Sequence, residues 1–170
     1  MISEIGADDE TIVQEQLANV RTSLGDIVIE LFGDEAPRAV ESFRSLAQSG
    51  YYNGRGFHRL APGLLIRTGG DPGESIWAGG HLLEDELIAK ELPRHDEPYT
   101  VSMASLNKGQ LFISLRELAA EFDDRQVVFG RVVSGQEIVD AIGAKNPEAD
   151  RPPDVKIIKV LVKSKYYKCL

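Results

Sequence analysis

The sequence predicts a mainly β domain, an antiparallel barrel with helices over its open ends. Three observations carry that expectation. Short apolar runs of strand type, bounded by turn residues, recur along the chain. Two segments, residues 35–50 and 136–144, show the three- and four-residue apolar spacing of a helix. One follows the first pair of strands and the other precedes the last strand, an order that cannot build an alternating βαβ sheet.

The elements follow in chain order. Residues 1–16 are polar and acidic and read as an N-terminal extension, a short helix or an unstructured arm. "VRTSLGDIVIELF" (20–32) carries two strand-type runs around Gly25-Asp26 and predicts a hairpin that turns there. "EAPRAVESFRSLAQSG" (35–50) predicts a helix. Pro37 suits its first turn, where the missing N–H costs nothing. Ala36, Ala39, Val40, Phe43, Leu46 and Ala47 share a face, and Gly50 supplies the stop. Two short strands are expected at 56–60 and 63–68. Residues 69–98 read mostly as loop, with room for a turn or two of helix in "LLEDELIAKEL". A loop of that length in a compact domain usually carries function. "YTVSMAS" and "QLFISL" read as strands on either side of the turn "LNKG". "VVFGRVVSG" (127–135) is a further strand, "QEIVDAIGA" (136–144) the second helix and "DVKIIKVLV" (154–162) the closing strand. Neither a repeat nor an internal boundary is visible, so 17–163 reads as one domain and 164–170 as a tail.

At 170 residues the chain has the length of one domain with a sizeable core. Its net charge of −8 argues against nucleic acid or an anionic membrane as a partner. The basic run "KSKYYK" (163–168) reads as a solvated tail. Cys169 stands alone, which excludes a disulfide framework and a cysteine metal pair and favours a reducing compartment, cytosol or nucleus. The acidic N-terminus lacks a secretory apolar region, no run approaches the roughly 18 apolar residues of a membrane span, and "KCL" carries no prenylation box. The expectation is a soluble intracellular protein, monomeric and without a cofactor.

Among chemistry-bearing residues, His58, His81 and His95 have no metal-site spacing. "GGDPG" lacks the strand–helix context of a phosphate cradle. Trp77 reads as a packed loop anchor. "GFHRLAPGLL" (56–65) is more specific, because Arg59 carries a charge into an apolar run and either faces water or serves a purpose.

Taken together, "GDIVIELFGDEAPRAVESFRSLAQSGYYNGRGFHRL", "GGDP", "VSMAS", "QLFIS" and "VVFGRVVSGQEIVDAI", in that order, resemble the cyclophilins, the peptidyl-prolyl cis–trans isomerases. The resemblance runs from Val20 to Val162, and the closing "DRPPDVKIIKV" is similar to small members associated with the spliceosome. It implies a closed eight-stranded antiparallel β-barrel capped by two helices, with a substrate groove on its outer wall. It places Arg59 on the catalytic arginine, Phe112 on the pocket phenylalanine and Leu65 on a pocket methionine. Leu64 stands where a phenylalanine is usual. Gln110 matches a groove glutamine, Ala104 a backbone contact and Ser105 an asparagine position. Phe122 falls in a tryptophan-leucine pair and Gln126 on a groove histidine.

Other departures bear on activity. The glutamine that holds the guanidinium is missing from "LLIRTGGD", where Arg67 introduces a second charge, and the loop after "GGD" is shortened to "PGE". Glu121-Phe122 lacks the tryptophan on which cyclosporin binding depends, so weak cyclosporin affinity is expected. The implied function is isomerisation of X–Pro bonds in proline-containing peptides or proteins, at reduced activity. The alternative is a catalytically weak interaction module in a larger assembly, with splicing-complex proteins as partners.

Overall fold

The computed structural model describes residues 11–60, 63–70, 93–103, 109–118, 122–123, 126–144 and 155–169; for 11–14, 58–60 and 165–169 it describes the backbone. β1 (Thr11–Thr22) and β2 (Gly25–Leu31) form the expected hairpin, with Thr22 opposite Gly25. The turn falls at Ser23-Leu24, two residues before Gly25-Asp26, because the Thr22 hydroxyl captures the chain there. It donates to the Gly25 carbonyl at 2.6 Å and accepts the Leu24 and Gly25 N–H groups at 3.2 Å each.

Helix α1 (Pro37–Gln48) opens on Pro37 and buries Ala39, Val40, Phe43 and Ala47. The Phe43 ring packs between Tyr52 and Phe129, with centroids 5.6 and 5.4 Å away. The remaining elements are β3 (His58–Leu60), β4 (Leu65–Thr68), β5 (Thr100–Met103), β6 (Leu111–Ser114), β7 (Val127–Ser134), α2 (Gln136–Gly143) and β8 (Ile157–Cys169). The expected helix within 82–92, Trp77 and His81 lie outside the described residues.

Among the described residues all eight strands join one curled sheet in the order β3-β4-β6-β5-β7-β2-β1-β8, and the strand pairings are antiparallel. The class is mainly β with two helices, as expected. The two end strands, β3 and β8, are not paired with each other. The chain just ahead of each meets instead through a single Gly56–Lys156 bridge, with Gly54 N–H donating to the Ile157 carbonyl at 2.7 Å and Ile157 N–H to that of Arg55 at 2.9 Å. The main core lies inside the curl, where Ile27, Ile29, Phe43, Ile66, Met103 and Phe129 are fully buried.

Residues 11–16, expected in the extension, belong to β1, and residues 164–169, expected in the tail, belong to β8. The two segments pair with each other, from Gln16 opposite Ser164 to Thr11 opposite Cys169. Local patterning gives no sign of this, because each segment's partner lies at the far end of the chain.

β7 crosses β2 where Gly130 stands opposite Leu31. A Cβ at Gly130 would sit 2.6 Å from the Glu30 carbonyl oxygen and 2.9 Å from Ile29 Cγ2, so the two strands approach closely only with glycine there. Gly130→Ala is therefore expected to lower unfolding stability by roughly 2 kcal/mol, read as a shift of the urea midpoint. A midpoint within error of the wild type would show that the strands separate freely.

Candidate functional site

β4 and β6 bury every one of their residues, and alternation sends these to two faces. Ile66, Leu111 and Ile113 enter the main core. Leu65 and Phe112 turn the other way and join Leu118 and Phe122 in a second, smaller cluster, with Leu64 packed against its edge. All four apolar residues expected at the pocket, Leu64, Leu65, Phe112 and Phe122, thus come together outside the main core. Leu118 is an addition that the sequence reading missed. Leu65 and Phe112 are each 1% exposed and Leu118 and Phe122 each 8%, so the cluster is closed to solvent.

The strand register fixes what lies beside it. Phe112 stands opposite Ser102 on one side and opposite Arg67 on the other, and Arg67 stands opposite His58. Arg67 is 5% exposed, so a second guanidinium is buried in the row that holds Phe112. The sequence treats Arg67 only as a charge near Arg59; the register makes it Phe112's neighbour. Arg59 occupies the next row, opposite Ile66, and its side chain lies outside the described residues. Ala104 and Ser105 lie outside them as well.

Gln126 is buried next to the cluster. Its Oε1 accepts the Ser102 hydroxyl at 2.8 Å, its backbone N–H donates to the Phe122 carbonyl at 2.9 Å, and its Nε2 has no hydrogen-bond partner among the described residues. This amide keeps donors in hand beside an apolar pocket, an arrangement that suits a peptide carbonyl better than a closed core.

Gln110 is placed by glycines. Gly69, Gly70 and Gly109 all have positive φ, at 74°, 75° and 66°. A Cβ on Gly69 would lie 2.2 Å from the Gly109 oxygen, and one on Gly70 would lie 2.4 Å from Gln110 Cγ. Tyrosines hold this crossing: Tyr52 donates its hydroxyl to the Gly109 carbonyl at 3.1 Å, and the Tyr51 hydroxyl accepts the Gly70 N–H at 3.0 Å. Arg55 lies over the Tyr51 ring at 3.9 Å and donates to the Gly70 carbonyl at 3.2 Å. Burial pushes the Tyr52 phenol far above its ordinary range, so it stays a donor at any working pH.

His95 completes the surroundings. It is fully buried, and its Nδ1 lies 2.7 Å from Asp123 Oδ1. Burial holds its imidazole below the usual histidine range, against the opposing pull of Asp123. Among the described residues no three histidine, cysteine or acidic side chains cluster as metal ligands.

A model of the family "Cyclophilin type peptidyl-prolyl cis-trans isomerase/CLD" matches residues 17–162. The chain is 45% identical over 159 residues to mouse "Peptidylprolyl isomerase domain and WD repeat-containing protein 1", covering 86% of this chain and 24% of that protein. It is 40% identical over 172 residues to "Peptidyl-prolyl cis-trans isomerase CYP71" of Arabidopsis thaliana, covering 95% of this chain and 26% of that protein. It spans about a quarter of the length of these curated relatives. The crystal structure of a Cryptosporidium parvum cyclophilin type peptidyl-prolyl cis-trans isomerase superposes with a TM-score of 0.70 at 28% identity, covering 89% of this chain and 99% of that one. A second structure of that protein, with the dipeptide Ala-Pro present, gives a TM-score of 0.69 at 27% identity.

The lowered His95 basicity has a consequence for stability. Folded His95 takes up a proton less readily than unfolded histidine, whose pKa is 6.5. Its contribution is complete above pH 6.5 and is lost as pH falls from there through the folded value. Between pH 7.5 and 5.5 the wild type is expected to lose more stability to urea than His95→Asn, which cannot titrate. Equal losses in the two proteins would mean that His95 charges as easily folded as unfolded.

Proposed function

We propose, from the premise that this chain belongs to the cyclophilin-type peptidyl-prolyl cis–trans isomerase family, that its second apolar cluster is a proline-binding pocket at which X–Pro bonds are isomerised. The observation that carries this reading is the gathering of Leu64, Leu65, Phe112 and Phe122 outside the main core. Alternation along β4 and β6 turns Leu65 and Phe112 away from Ile66 and Ile113, and Leu64, Leu118 and Phe122 meet them on that outer face. We also read the curled sheet as a closed barrel, which the Gly56–Lys156 bridge supports.

The chemistry needs no covalent intermediate. Planarity of the amide sets a rotational barrier of about 18–20 kcal/mol, and the catalyst must favour the twisted amide over both planar forms. Twisting returns a lone pair to the prolyl nitrogen, and a fixed cation that donates to it acts only in that state. Each tenfold in rate takes about 1.36 kcal/mol of such preference. On the family resemblance Arg59 supplies the guanidinium, which stays charged at all working pH values. The apolar pocket holds the prolyl ring, and Gln126 Nε2 and Gln110 are assigned to the backbone of the bound peptide. The ring enters by displacing Leu64 at the cluster's edge, and Leu118 and Phe122 form the wall it packs against.

Reduced activity follows if the guanidinium is loosely held, since the usual glutamine is absent and Arg67 stands one row away. A second reading, an interaction module within a larger protein, is favoured by relatives in which this domain is a quarter of a chain whose name includes WD repeats. A protease-coupled assay on a chromogenic Ala–Pro tetrapeptide separates the two. The wild type is expected to accelerate isomerisation, and Arg59→Ala to lower kcat/KM by about a hundredfold or more without unfolding. A wild-type rate equal to the uncatalysed one would leave the module reading alone. If Arg67→Ala lost the activity and Arg59→Ala kept it, the role would belong to Phe112's direct neighbour. Cyclosporin is expected to inhibit weakly in the same assay.

A further inference from the structure

We propose that His95 is a positioning residue of this site: it holds Leu118, Phe122 and Asp123 so that Leu118 and Phe122 stand as one wall of the pocket. The inference deepens the isomerase reading and rests on it. His95 comes from the stretch leading into β5, remote in sequence from the residues it holds, yet its described contacts converge on them. Its carbonyl accepts the Leu118 N–H at 2.8 Å. Its own N–H and its Nδ1 both reach Asp123 Oδ1, at 2.8 and 2.7 Å. Its ring meets the Phe122 ring edge-on, with centroids 6.1 Å apart. Leu118 and Phe122 are two of the four side chains in the second apolar cluster.

The protonation state follows from the partners. An ionised carboxylate only accepts, so the hydrogen sits on Nδ1 and Nε2 keeps a bare lone pair. Nε2 is buried and has no hydrogen-bond partner among the described residues. Charging the ring would add an N–H where nothing accepts it, which agrees with the lowered basicity. The charged groups around the ring are Asp123, Arg94 and Asp96, and Arg94 also pairs with Asp123 Oδ2 at 3.1 Å. An apolar side chain would fill this position without leaving a polar atom unsatisfied. What the histidine adds is direction, because its ring is oriented by Asp123 and in turn orients Phe122. Protonation disturbs that orientation from the side away from the substrate.

The test follows cis–trans exchange in an Ala–Pro tetrapeptide by NMR from pH 8 to pH 5, with His95's own ring signals reporting its charge. At pH 7.5, His95→Asn, which keeps a donor for Asp123 but has no ring for Phe122, is expected to raise KM roughly tenfold with kcat within about twofold. In the wild type KM should rise as His95 takes up its proton, and in the variant it should stay flat. A merely structural histidine would lower the active fraction, and hence kcat, at unchanged KM; that outcome overturns the proposal. Should the variant not fold, the wild type decides, and a KM unchanged across the protonation of His95 overturns the proposal equally. If the wild type fails to accelerate exchange at all, the isomerase reading falls separately. Cross-peaks between the Phe122 ring and the methyl groups of Leu65 and Leu118 then test the brace: their loss in His95→Asn supports it, and their retention overturns it.

Discussion

A strand pair that is buried on both faces must be covered twice, and much of this molecule is arranged around that constraint. β4 and β6 are buried at every position. The inner face joins the main core inside the curl of the sheet. On the outer face Leu65 and Phe112 would be left in water, at a cost of about 1.5–3 kcal/mol each, were they not met by Leu118 and Phe122. That cover comes from residues outside the described strands, which need some other hold. Asp123, gripped twice by His95, and the Phe122 carbonyl, bound by Gln126, provide it. The same arrangement makes a site. Strands supply its floor, and Leu118 and Phe122 supply a wall held from behind by His95.

The crossing beside Gln110 is fixed by close approach rather than by side-chain cover. Gly69 and Gly70 pass Gly109 and Gln110 too tightly for any Cβ, and Tyr51, Tyr52 and Arg55 clamp the crossing with hydrogen bonds to backbone. Gln110 therefore has its place set by contacts to the backbone on either side of it. Preorganisation of this kind is what a reaction without covalent chemistry requires, since its selectivity for the twisted amide is entirely geometric.

Local pattern was enough to read α1, from Pro37 and its apolar spacing, and the short strands on either side of the pocket. It misplaced the first turn, because the hydroxyl of Thr22 outcompetes the Gly-Asp signal. It missed the outer stretches of β1 and β8, which satisfy their backbone groups with each other across the length of the chain. At the site, the resemblance supplied Leu64, Leu65, Phe112 and Phe122, whereas periodicity alone would have assigned Phe112 and Leu65 to the barrel core. Leu118 and His95 carried no signal. Leu118 is one apolar residue in a loop, and His95 is one of three scattered histidines. Only the fold brings Asp123 to within hydrogen-bond distance of that imidazole. Arg67 was visible as a charge, but its place opposite Phe112 depends on a register that one-residue slips would invert.

The packed state of the pocket sets how such a site must bind. Its four side chains bury one another, so a prolyl ring competes with contacts already made. Opening costs free energy that is subtracted from affinity, and the apparent dissociation constant rises in proportion to the rarity of the open form. The residues that govern this equilibrium need not touch the substrate. A replacement at Leu65 or Phe112 changes the floor in both states, whereas a weaker hold on Phe122 leaves the open form without the wall that the prolyl ring packs against. On the proposed isomerase reading, affinity and chemistry are divided between elements: Arg59 acts at the amide, and the braced residues hold the wall against which the prolyl ring packs. In a family whose reaction breaks no covalent bond, that division lets affinity change through the brace while the groups facing the amide stay in place.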